Sequence, residues 1–235
     1  MSQKEHTEPT YIKNREIAAW YYTIDANPPG VDLYNAEERA PWFANLVSCV
    51  LSALTGFAQA NSIEVTTDSQ GEDSFAVQSD TVADLQRLDS FLKSTLDVAR
   101  VKAWLSLKCV QINDGGVSED FFIHNNGWLS IENNISKHGS VEEGLICVCF
   151  DLESNIYSPI ARFDNRALAA LNAPRLRNFL HCLEAISSLK FKAIDDPVGH
   201  IKAAERYGVV DRYGFKMPDD PSAFEELLKR EAATW

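Results

Sequence analysis

Between Lys102 and Asp151 the chain writes out a β-meander, and this stretch restricts the fold more than any other. Lys102 to Asn113 (KAWLSLKCVQIN) alternates apolar and polar residues, the period of a strand with one buried face. Asp114-Gly115-Gly116 then offers the positive-φ residues of a hairpin turn, and Val117 to His124 returns beside the first strand. Asn125-Asn126-Gly127 is a second turn, leading into a short strand from Trp128 to Glu132. Gly144 to Asp151 (GLICVCFD) is continuously apolar, as in a strand covered on both faces. Glu153-Ser154-Asn155 predicts a further hairpin into Ile156–Phe163.

Helices flank this β region. Asn35 is a cap, with Glu38 three residues on and Glu37 beside it in the electropositive first turn. Trp42, Leu46, Cys49, Val50, Ala53, Leu54 and Phe57 recur at helical spacing, predicting a core helix to about Gln59 with Pro41 tolerated near its start. A second helix begins near Ser79 or Asp80, its stripe formed by Val82, Leu85, Leu88, Phe91 or Leu92, and Leu96. Glu16–Ile24 and Ser62–Thr67 read as strands, Asp68 to Asp73 as a loop and Phe75–Gln78 as a short partner strand. Beyond Asp164 the pattern is helical: a helix to Asn172, a break at Pro174, a stripe from Leu176 to Leu189, a shorter helix from Asp195-Asp196-Pro197 to Tyr207, and a last one over 223–233.

The expected architecture is therefore α+β: a central, mostly antiparallel sheet of hairpins packed on several helices, with a helical C-terminal third. No composition break divides it, so residues 1–235 read as one domain, with 1–12 a flexible tail and 156–235 the mainly helical part.

The formal net charge is −12, and its distribution is uneven. Residues 61–90 carry seven acids against Arg87 alone, and residues 110–155 carry eight against Lys137 alone; the remainder is nearly neutral. A field of this sign repels phosphate backbones, which argues against nucleic acid, and it steers a basic protein partner. No apolar run reaches a membrane span, and the polar N-terminus lacks a secretory signal. Five cysteines, an odd number set in apolar stretches, predict core thiols and a reducing, cytoplasmic setting.

Phosphate-loop, dinucleotide, zinc-protease and nucleophile-elbow signatures are absent, so no catalytic, cofactor or metal residue is assigned. His181 and Glu184 share a helix face, which reads as a partly buried helix histidine; Cys182 points elsewhere. Asp195-Asp196 reads as helix capping, Cys147 and Cys149 as core neighbours two apart on a strand, and His124 as a surface or hydrogen-bonded strand-end residue sharing a face with Phe122. The expectation that follows is an acidic binding protein that occludes a basic partner one to one, as an immunity-type inhibitor of a bacterial toxin does. Asp68, Glu72, Asp73, Asp114, Glu119 and Asp120 are its candidate contacts, and Trp128 its aromatic anchor. A hydrolase or transferase whose site is assembled from separated residues, and a non-catalytic scaffold, are the alternatives.

Overall fold

The computed structural model describes residues 17–69, 71–75, 82–112, 116, 118–135, 144–157, 166–195 and 210–215. In chain order these form β1 (Ala18–Ile24), α1 (Ala36–Ala53), β2 (Ala58–Thr67), β3 (Gly71–Phe75), α2 (Val82–Ser94), β4 (Val98–Ile112), β5 (Ser118–Ile123), β6 (Gly127–Asn133), β7 (Ile146–Leu152), α3 (Arg166–Glu184), β8 (Lys190–Asp195), β9 (Val210–Asp211) and β10 (Gly214–Phe215). A 3-10 turn at Asn155–Tyr157 precedes α3.

Seven strands lie in the order β3-β2-β4-β6-β7-β1-β8, with β5 beside the far end of β4. Every pairing is antiparallel. The expected α+β class with a mostly antiparallel sheet is thus observed. β4 organises it, because its fifteen residues pair with β2, β6 and β5 in turn. Gly127 opens β6 where a Cβ would meet the Asp151 carbonyl oxygen at 2.7 Å, so only glycine lets these strands close there. The φ > 0 residue of the preceding turn is Asn125.

Alternating strand residues enter one apolar core together with the three helices of the described residues. Trp20, Tyr22 and Ile24 of β1, Val101, Ala103 and Leu105 of β4, and Val148 and Phe150 of β7 meet Phe43, Val47 and Val50 of α1, Leu88 and Leu92 of α2, and Phe179, Leu180 and Leu183 of α3. At its centre Phe57 and Phe179 stack at 4.7 Å, and Phe150 meets both rings edge-on at 5.5 and 4.9 Å. No described helix is long and apolar enough to cross a membrane.

Several elements differ from the sequence reading. The Asn35 cap forms as expected: its side chain accepts from the Glu37 N–H and donates to Glu38. Helix α1 nevertheless ends at Ala53, because Gly56 takes φ +86° and turns the chain into β2, which claims Ala58 and Gln59. Gly71 to Asp73 belong to β3 and not to a loop. Pro174 does not break α3. It and Ala170, whose carbonyl its missing N–H leaves without a helix partner, both lie on the exposed side, where water reaches that oxygen.

The predicted strand at Ile156 starts instead as the 3-10 turn, and 158–163 lie outside the described residues. The stripe to Leu189 ends at Glu184, and Lys190–Asp195 is the edge strand β8, so Asp195 closes a strand and caps no helix. The C-terminal third thus holds strands beside α3; the helices expected over 197–207 and 223–233, and the tail at 1–12, lie outside the described residues.

The cysteines divide more sharply than their apolar settings suggest. Cys109 and Cys149 are buried, but Cys49 and Cys182 are exposed. Burial pushes the Cys109 and Cys149 thiols up to about 12. In the folded protein at pH 8, an alkylating reagent is expected to modify Cys49 and Cys182 quickly and to spare Cys109 and Cys149 until denaturant is added. Peptide mass spectrometry over a time course checks this; rapid labelling of Cys109 in the native state contradicts the packing described here.

Candidate binding surface

The sheet residues that point away from the three helices form three cross-strand rows. Ser62, Trp104, Trp128, Asp151 and Ala19 make the first, with Asp195 at its end on β8. Glu64, Lys102, Ser130, Cys149 and Tyr21 make the second, and Thr66, Arg100, Glu132, Cys147 and Thr23 the third. In an antiparallel sheet such neighbours stand about 5 Å apart, so each row is one line of touching side chains. Ala19, Thr23, Ser130, Cys149 and Asp151, in the middle of the face, are buried. Trp104, Trp128, Lys102, Glu64 and Glu132 are only half-buried.

Lys102 rests on both indoles, its Nζ 4.1 Å from the Trp104 ring and 4.5 Å from that of Trp128. The Trp104 Nε1–H donates to Glu64 at 3.1 Å, and the Ser130 hydroxyl donates to Glu132 at 3.1 Å. The result is an aromatic platform holding one cation, with a carboxylate on either flank. Three strands along the second row, burial raises the Tyr21 phenol well above its ordinary value, so it stays a neutral hydrogen-bonding group.

Of the residues singled out in the sequence, Trp128 is the one this arrangement contains. Asp68 is exposed in the turn after β2, where its N–H donates to the Asp97 carbonyl. Glu72 and Asp73 pair through β3 with Thr66 and Val65. Asp114 lies outside the described residues. Glu119 and Asp120 are exposed on β5, at the other end of β4, roughly 40 Å of strand from Asp68. Asp120 meets Lys108 at 3.2 Å and Arg175 at 3.1 Å, and these cations hold its carboxyl below the usual range.

The acids that converge near Trp128 are others: Glu64 from the first acidic segment, Glu132 and Asp151 from the second. Strand alternation carries the signal for them. Glu64 follows Ser62 by two and Glu132 follows Trp128 by four, which puts each pair on one face once its strand is assigned.

Other clusters present less. The His124 Nδ1 lies 2.8 Å from the Ser106 hydroxyl, which donates to Asn61 at 2.8 Å. A serine has one proton, so with Asn61 accepting it the imidazole is the donor; Ser106 is also only 1% exposed, closed to a substrate. His124 is thus a hydrogen-bonded surface histidine, stacked near Phe122 as its position on the strand implied. His181 differs from its expected partial burial: it is exposed, and its ring stacks on Tyr213 at 3.7 Å.

That contact belongs to a clasp holding the β9–β10 hairpin on α3. Arg177 grips Asp211 through two bonds of 2.7 and 2.9 Å, Arg212 pairs with Glu184 at 2.8 Å, and the Tyr213 hydroxyl donates to Glu184. Burial would raise the Asp211 carboxyl, but Arg177 and the Tyr213 N–H outweigh it and hold it low. These charges are spent on one another. A cleft of about 270 Å³ between α1, α2 and β2 is lined by Val47, Leu51, Ile63, Leu85 and Leu88. Its rim groups are engaged within their own helices, Ser52 with the Ser48 carbonyl and Asp89 with Lys93. Among the described residues no group of three His, Cys, Asp or Glu side chains is arranged to hold a metal ion.

No protein-family model, curated protein sequence or solved structure matches the chain, so the site is read from its own geometry and nothing is carried over from a relative.

Proposed function

We propose that this chain is a binding protein that occupies a basic protein partner, anchoring it on the Trp104–Trp128 side of the sheet. The observation that carries this reading is the pair of half-buried tryptophans standing in register on a face that no described helix covers. A single tryptophan often keeps an edge exposed even in a core, but two in register are what interface centres, enriched in tryptophan, tyrosine and arginine within a polar rim, present. Charge supports a cationic partner: the two segments that hold the excess of acids supply Glu64, Glu132 and Asp151 to this face. The mechanism is occlusion, with carboxylates pairing to the partner's lysines and arginines around a desolvated aromatic anchor. Within this reading, an immunity-type inhibitor that neutralises a toxin one to one in the cytoplasm is the narrower form. The size of the chain, its charge and its exposed free thiols favour it.

Affinity capture from an extract of the source cells at low and high salt, with the wild type and a Trp104→Ala/Trp128→Ala double variant, tests the proposal. The wild type is expected to retain a basic protein at low salt and lose it at high salt. The double variant, its fold checked by circular dichroism, is expected to bind that protein at least about 30-fold more weakly, as truncation of a central anchor does. Equal retention by both proteins removes the aromatic pair from the interface, and recovery of no basic protein removes the proposal.

A further inference from the structure

We infer that the Trp104–Trp128 platform is a recognition site for a single cationic side chain, a lysine or arginine of the partner, and that Lys102 fills it until the partner arrives. The inference rests on the reading that this face binds a basic protein, and it adds the chemistry of the contact. Lys102 stands opposite Glu64 on β2, yet its ammonium takes the two ring faces, at 4.1 and 4.5 Å. None of the ion pairs among the described residues includes it. Glu64 is turned toward the Trp104 Nε1–H at 3.1 Å, which fixes that indole and leaves its face to the cation.

The electrostatics favour an incoming charge. An indole face attracts a cation, and two faces together with nearby carboxylates make a site selective for positive charge over a neutral group of equal size. Glu64, Glu132 and Asp151 outnumber Lys102 and Arg100 on this part of the face. A primary ammonium, that of Lys102, already stands over both rings. Lys102 reaches it from the adjacent position of the same row pattern on its own strand, on a flexible stem, so it can swing away when a competing cation enters. An internal occupant lowers the apparent affinity for an external one by the fraction of time it holds the site.

The test uses the whole chain and tetramethylammonium, which carries charge but cannot donate a hydrogen bond, with tert-butanol as its neutral counterpart. The indole N–H resonances of Trp104 and Trp128, assigned from Trp104→Phe and Trp128→Phe, report occupancy. The Trp20 indole, which donates to the Arg212 carbonyl at 3.1 Å away from this face, reports that each variant is folded. Lys102→Met keeps the apolar stem and removes the occupant, and is expected to bind tetramethylammonium about fivefold more tightly than the wild type. Lys102→Arg retains a cation and is expected to stay near the wild type, while Trp104→Ala in the Lys102→Met background is expected to lose the response.

No gain in Lys102→Met, or an equal response to tert-butanol, overturns the inference. The expected tetramethylammonium response, combined with a captured partner that binds the double tryptophan variant normally, leaves the cation site standing and takes the partner away from it. Loss of partner binding in the double variant without a gain in Lys102→Met keeps the interface and removes the cation site.

Discussion

Phe179→Ala is expected to lower the folding stability by about 3–5 kcal/mol, a fifth or more of the roughly 5–15 kcal/mol that a domain possesses. Phe179 is 1% exposed and joins three parts of the chain that are distant in sequence: the turn after α1 through Phe57, strand β7 through Phe150, and its own helix. Truncation removes the transfer energy of the ring and leaves a void that a sheet on one side and two helices on the other cannot fully close. Phe179→Leu separates the two contributions. It restores most of the apolar volume but not the stacked and edge-on ring contacts, each worth about 0.5–1.5 kcal/mol, so it should fall clearly between the wild type and Phe179→Ala. Urea midpoints for the three proteins, with unchanged slopes, are the measurement. A Phe179→Ala loss under about 1 kcal/mol means that the aromatic centre is not where stability resides.

Asn172→Ala is expected to cost about 2–5 kcal/mol, although it replaces a poor helix former with the best one. Asn172 is fully buried in the middle of α3, and its amide acts as a fragment of β-strand. Its Oδ1 accepts from the Val110 N–H at 2.8 Å and its Nδ2 donates to the Val110 carbonyl at 2.9 Å, on the edge of β4 beyond the reach of β2. The same Nδ2 also donates to the Leu168 carbonyl at 2.8 Å. Removing it orphans a donor and an acceptor of the main chain in a buried place, at about 1–3 kcal/mol each. Asn172→Leu is the control: it fills the space but cannot bond, so it should lose nearly as much. Hydrogen exchange gives the local readout, since the Val110 amide should become the residue of β4 that loses most protection. If Asn172→Leu is as stable as the wild type, volume and not pairing is what this position supplies.

These two residues also mark what can be read from the sequence. Asn35 with Glu38, the alternation of β4 and the apolar run of β7 are local patterns that form where they are read. The stripe of α1 holds at Leu46 and Val50 but not at exposed Cys49 or beyond Ala53. Asn172 beside Pro174 looks like the end of a helix because both residues favour ends. The helix continues because a partner 62 positions away satisfies the asparagine and water reaches the carbonyl facing the proline. Strand β8 was hidden for a related reason. As an edge strand it is exposed at Lys190, Lys192, Ala193 and Asp195, so its alternation is blurred, and its partner β1 lies at the other end of the chain.

The site was half legible. Trp128 could be named as an anchor by its type, but its neighbours Trp104, Lys102 and Glu64 follow from the register of β2, β4 and β6, a long-range property. Asp68, chosen from a loop, and Asp120, chosen from the β5 hairpin, lie towards opposite ends of β4, whereas Glu64 and Glu132 stand in the strands whose register brings them to the indoles.

Strand β1 sits between β7 and β8, and this place in the sheet sets a timetable. Ile146, the partner of Ile24, follows it by 122 positions, and the other neighbour comes later still. At a synthesis rate of about 5–20 residues per second, the apolar segment AAWYYTI leaves the ribosome roughly 6–25 s before the first strand that can pair with it. Helices α1 and α2 and the β2–β4 pairing can form during that delay, because their contacts are closer in sequence. The sheet itself closes last through its earliest strand, so nascent chains pass through a stage in which Trp20, Tyr22 and Ile24 are still in search of a partner.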